Sequence, residues 1–211
     1  MPSRKLNPPK PNLTVRERVL LAAEHLLAKG SAEFSMRELA AEAGVSFATP
    51  FNHFGSKSAI MHALSARLIE TMHERYATSS LAVGAPARIL HALEIAAQVM
   101  LDRPGANRAI MAGLGAPSPE PGDVWDASRA LWTTALDDCK GLEPDCIDLA
   151  RIILPAQLAF SFRGLLSFWA AGEISDDNLI PHARGIGAAS LMGFVDKARR
   201  KSLIGDMVTS T

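Results

Sequence analysis

The strongest chemical pattern in this sequence lies between Ser35 and Phe54. Ser35 and Glu38 form a capping box, in which the hydroxyl accepts from an early helical amide and the carboxylate reaches back to the cap. Met36, Leu39, Ala40 and Ala43 recur at the spacing of one helix face. Gly44 supplies a residue that tolerates positive φ at a turn. Val45 plugs the angle behind it, Ser46 is placed to cap a second short helix, and small Ala40 lets the two helices cross closely. A helix, a tight corner and a second short helix make the layout of a helix-turn-helix. The second helix can enter a major groove while the first lies across the backbone. The chemistry on offer is contact with a duplex.

Bond-making chemistry is poorly served elsewhere. Gly185-Ile186-Gly187-Ala188-Ala189-Ser190 has the look of a dinucleotide loop, but no strand precedes it and it sits inside a helical pattern. There is no glycine-flanked serine of the esterase kind. His25, His53, His62, His73, His91 and His182 are scattered, and no i, i+4 pair brackets a carboxylate. His62 and His73 lie about three turns apart on one helix, which makes only a weak metal pair. No catalytic residue, cofactor or metal ligand is expected; an all-helical enzyme is the more distant alternative.

The elements that must hold the corner are helices. Thr14 and Glu17 form an earlier capping box; Val15, Val19, Ala22, Ala23, Leu26 and Leu27 follow at helical spacing, and Gly30 ends that helix. Ser56 is placed to cap a fourth helix with Ile60, Leu64, Leu68 and Met72 on one face. After a break at 84–86, helical patterns cover 86–102, 105–114, 123–140, 144–171 and 176–201. Three prolines and three glycines predict a loop from Gly113 to Gly122.

The 211 residues carry no net charge, but residues 1–57 hold eight Lys/Arg against five Asp/Glu and the remainder fourteen against seventeen. The N-terminal part is thus the better partner for a polyanion. Cys139 and Cys146 are too few for a disulfide framework and read as reduced thiols in the cytoplasm. No apolar run follows Arg4 and Lys5, so no secretory signal is expected. Ile152 to Gly172 is apolar apart from Arg163 at its middle, where membrane insertion would cost roughly 2.5–3.5 kcal/mol. That stretch reads as a helix buried in protein, with no membrane partner.

Val15 to Leu27, then Phe34-Ser35-Met36-Arg37-Glu38-Leu39-Ala40-Ala41-Glu42-Ala43-Gly44-Val45-Ser46, then Thr49 and His53-Phe54-Gly55-Ser56-Lys57, resembles the TetR (tetracycline repressor) family of transcriptional regulators. Trp169 to Asp177 followed by one final helix is similar to that family's dimerisation pair. The resemblance implies an all-α fold of about nine helices: a three-helix DNA-binding head, then a helical ligand-binding and dimerisation domain. The expected divisions are a mobile basic, proline-rich arm at 1–13, the head at 14–57, the sensing and dimerisation domain at 58–201 and a tail at 202–211. The implied partners are a palindromic double-stranded operator, a second copy of the chain and a small-molecule effector that releases the DNA. Control by a partner protein is the alternative.

By position in the motif, Thr49 matches a residue that touches DNA and Lys57 a basic residue that meets phosphate. With Arg37, Ser46, Phe47, Ala48, Asn52 and His53 they form the expected contact set. His53 has a second reading as a cap or core residue, and Phe51 and Phe54 are expected in the core. Two departures stand out. Phe51 replaces the family's usual tyrosine and cannot donate to phosphate, and Pro50 stiffens the first turn of the recognition helix. With Phe47, Ala48, Pro50 and Phe51 the reading surface is unusually apolar, which favours thymine-methyl and shape contacts.

In the second domain, Met100, Met111, Trp125, Trp132, Gln157, Phe160, Ser161 and Phe168 are expected to line a largely apolar effector pocket. Leu158, Leu165, Ile186, Ala189, Gly193 and Phe194 are expected at a symmetric four-helix dimer interface. Two roles fit Arg163: pairing with an acidic ligand, or with an Asp or Glu across the dimer.

Overall fold

A computed structural model of the chain describes residues 13–30, 34–80, 82–115 and 123–208. The expected arm up to residue 12, the 116–122 part of the expected loop and the last three residues of the expected tail lie outside these. The described residues form ten α-helices and no strand.

The head is α1 (Val15–Ala28), α2 (Met36–Glu42) and α3 (Ala48–Phe54). Both arms of each capping box are present. The Glu17 amide donates to Thr14 Oγ1 at 3.2 Å and the Thr14 amide to Glu17 Oε2 at 2.7 Å; Ser35 and Glu38 repeat the pattern. Such caps satisfy amides that a helix start leaves open. Val19, Ala23, Leu27, Leu39 and Phe34 close a small core beneath the corner.

The long α4 (Lys57–Thr78) leaves the head and continues into the second domain, where α5 (Ala85–Leu101), α6 (Pro104–Gly113) and α7 (Val124–Leu136) pack around it. A 3₁₀ turn at Pro144–Cys146 leads into α8 (Ile147–Ala170), followed by α9 (Asp176–Leu191) and α10 (Lys197–Val208). The span Pro144–Ala170, at mean hydropathy 1.3, is long and apolar enough to cross a membrane. Here it packs on α6, α7 and α9 and buries Leu154, Leu158, Phe162, Leu165 and Trp169.

Two buried polar side chains lock this domain. Arg88 of α5 donates to the carbonyls of Ala135 at 3.1 Å and Leu136 at 2.9 Å, and to Asp138 Oδ1 at 2.7 Å, tying off the end of α7. Asn107 donates to the Val99 and Met100 carbonyls at the end of α5. At Gly187 a Cβ would run into the Leu93 and Leu90 side chains, so α9 lies directly on α5.

The single helical pattern at 176–201 resolves into two helices, and the last runs on to Val208 rather than ending in a tail at 202. The cause is local. The Phe194 carbonyl accepts from the Glu143 amide, and the Asp196 carboxylate accepts from the Arg199 amide at 2.7 Å, capping a new helix.

Candidate nucleic-acid interface and internal cavity

Gly44 holds φ at +63°, and the Val45 amide donates to the Ala40 carbonyl at 3.0 Å, so the chain turns sharply between α2 and α3. The corner is clamped from α1. Arg18 donates to the Ala43 carbonyl at 3.0 Å and the Gly44 carbonyl at 2.8 Å. Arg16 stacks over Phe54 and donates to the His53 carbonyl at 3.4 Å. His25 and Lys29 of α1 both meet Glu42 of α2, and hydrogen bonding from His25 holds that carboxyl below the usual range. Sequence reasoning missed these α1 side chains; their types alone do not tell a clamp from a solvated face.

The outer face of α3 is two short ridges, Phe47 with Phe51 and Ala48 with Asn52, beside exposed His53. Phe47 and Phe51 are 54% and 41% exposed and meet edge to face at 5.5 Å; the Arg37 guanidinium stands over Phe47 at 5.7 Å. Four expectations are corrected. Phe51 faces solvent rather than the core. Pro50 is buried, so it braces the helix from behind instead of adding to its surface. His53 is exposed, not a core residue. Ser46 is not the side-chain cap of α3: Phe47 holds that position, and the Ser46 hydroxyl bonds the Thr49 hydroxyl at 2.8 Å. Phe54 is half-buried against the core, as expected. Ser56 caps α4 by accepting from the Ala59 amide, which leaves Lys57 in the first turn of a 22-residue helix, its ammonium 4.5 Å from the Phe34 ring. A helix start of this kind is a favourable place for a phosphate.

The second domain holds a partly open cavity of about 370 Å³ lined by α4 to α8. Met100, Met111, Trp125, Trp132 and Phe160 line it; Trp125 and Phe160 stack at 4.6 Å on its rim. Gln157, Ser161 and Phe168 do not line it. They lie along the outer flank of α8, where Gln157 donates to Ser161. The α4 side of the wall is His62, Ser65, Leu68, Ile69 and Met72, none of which sequence reasoning assigned to a pocket. Arg163 completes it, its guanidinium made less basic by burial. His73, considered above with His62, instead approaches the Ala127 carbonyl at 3.4 Å.

The model of bacterial regulatory proteins, tetR family, matches residues 19–64, from α1 through the corner into α4. Residues 19–64 thus match the N-terminal segment of the TetR family. Among solved structures, a TetR transcriptional regulator from Rhodococcus sp. RHA1 is similar at 22% identity and TM-score 0.68, over 84% of this chain and 96% of that one. A TetR-family regulator from Shewanella sp. PV-4 is similar at 17% identity and 0.53, over 88% and 100%. A gamma-butyrolactone receptor is similar at 16% identity and 0.52, over 93% and 96%. At these identities the likeness is one of fold. A search of curated proteins found no match.

The residues expected at a dimer interface divide. Leu158 and Leu165 are buried inside the subunit and are corrected to core residues. Ala189 and Gly193 are exposed, while Ile186 and Phe194 are half-buried. Ile152, Phe160 and Phe168 of α8 are exposed at 76%, 60% and 54%, although none of the three was expected at an interface.

Proposed function

We propose that the chain is a repressor that binds a palindromic operator as a homodimer in the cytoplasm and lets go when a small, largely apolar molecule enters the cavity. The reading unit is 14–57, with Arg37, Ser46, Phe47, Ala48, Thr49, Asn52, His53 and Lys57 at the duplex; the helices from 58 to 208 sense and dimerise. The observation that carries this reading is the double role of α4: its first turn holds Lys57 in the head, and its next turns form one wall of the cavity. A molecule that fits only one setting of α4 would shift the dimer toward that setting. A small displacement of the two heads takes them out of register with successive major grooves. The exposed large apolar side chains of α8, Leu149 and Ile152 among them, support the homodimer, because a lone subunit rarely leaves so many uncovered. The cavity favours a small effector over control by a partner protein, since its volume falls within the range of small-molecule sites.

The test is to select genomic fragments with the purified protein and sequence them. A repressor of this design enriches a palindrome whose half-sites are centred about one helical turn, or a multiple of it, apart. Enrichment without a shared motif contradicts the reading.

A further inference from the structure

The cavity wall is apolar except at a few places, and those are unusual. Among the described residues that line it, Arg163 is the one Lys, Arg, Asp or Glu. No carboxylate among the described residues stands within ion-pair distance of it, and it donates to the Met111 thioether, 4.0 Å from Nη1. Both ring nitrogens of His62 and the indole Nε1 of Trp132 are shut off from solvent and have no hydrogen-bond partner. Three side chains that carry N–H groups thus line one cavity, and among the described residues the Met111 thioether is the protein acceptor they meet. Polar groups buried in this way cost stability unless something accepts from them, and a cation with no anion costs more.

We infer that the effector is an amphiphilic organic acid whose carboxylate is held by Arg163, with Trp132 and His62 as further hydrogen-bonding groups, and whose apolar body lies between α4 and α7. The inference rests on reading the cavity as the effector site. A guanidinium presents two parallel N–H groups that match the two oxygens of a carboxylate, and this pairing is strong where water is excluded. A neutral effector would leave the guanidinium charge uncompensated. A phosphate monoester carries about two charges at neutral pH, and the cavity offers one guanidinium against it. The apolar remainder of the wall, including Met72, Leu131 and Trp125, suits a hydrocarbon or aromatic body.

The experiment uses the full chain and N-phenylnaphthylamine, a neutral dye that brightens in apolar cavities. Decanoate and naphthaleneacetate are then compared, each with its own primary amide, as competitors for the dye. The inference expects each acid to displace the dye at a concentration lower than its amide by roughly tenfold or more, the scale of a charged hydrogen bond. In Arg163→Gln the dye still enters but the advantage of the acids disappears; Arg163→Lys keeps part of it. If amides compete as well as acids, or if the advantage survives in Arg163→Gln, the inference falls while the effector cavity stands. If the dye does not enter the wild-type protein, the effector reading falls and the inference with it. Should Arg163→Gln fail to fold, the acid–amide comparison in the wild-type chain decides alone.

Discussion

The head and the second domain treat their polar groups in opposite ways. In the head nearly every donor near the corner is used at short range: Ser35 with Glu38, Ser46 with Thr49, and Arg18 with two carbonyls of the turn. Two large apolar rings, Phe47 and Phe51, nevertheless stand exposed on it, beside Asn52 and His53. The second domain leaves buried polar nitrogens without partners inside, at His62 and Trp132, while Arg163 meets a thioether, that of Met111. A surface whose amides are already satisfied can dock on a duplex without rearranging. A cavity with open hydrogen-bonding groups is completed by whatever enters it. The contrast fits a rigid reader joined through α4 to an unfinished sensor.

Substitutions break this contrast at different levels. The largest effect is expected at Arg88. Arg88→Met leaves two carbonyls at the end of α7 without donors, and global stability should fall by about 3 kcal/mol in a denaturant titration. Gly187→Val forces a side chain into Leu90 and Leu93 and should cost about 1–3 kcal/mol by the same measurement, loosening the sensor while the head stays intact. Gly44→Ala acts on the other side. A Cβ at φ +63° costs about 1–2 kcal/mol, so operator affinity should drop while dye entry into the cavity is unchanged.

The smallest effect concerns acid. Donation from Arg108, and then from the Trp169 indole, holds the Asp176 carboxyl below the usual aspartate range at the junction of α6, α8 and α9. A carboxyl depressed on folding stabilises the fold above its ordinary pKa, and that contribution fades as the pH drops through the lowered one. Asp176→Asn should therefore flatten the acid side of the stability–pH curve slightly and leave the neutral side little changed in shape.

How much of this was legible in the sequence follows the same division. The corner could be read because its causes are local: two capping boxes, a glycine at positive φ and a small residue at the crossing. What failed there failed by orientation. Pro50, Phe51 and His53 sit within one turn of each other, and which of them faces the head core depends on how α3 rolls against α1. In the second domain α8 is apolar on nearly every side, so no polar stripe fixes its phase. Gln157 and Phe168 were therefore placed inward and Leu158 and Leu165 outward, and the structure exchanges them. His62 was visible as a polar residue on a helix, but its role comes from Arg163 and Trp132, about seventy to a hundred residues further along the chain.

The central claim is that the exposed face of α3, with Lys57 behind it, is the surface that meets DNA. The most direct measurement is the affinity for a selected operator duplex as a function of salt, by fluorescence anisotropy, for the wild-type chain, Lys57→Ala and Asn52→Ala. The account predicts a steep fall of affinity with salt. Lys57→Ala should lower that slope by about one and weaken all duplexes alike. Asn52→Ala should change which sequence is preferred and leave the slope unchanged. Salt-insensitive binding, or identical curves for all three proteins, would contradict it.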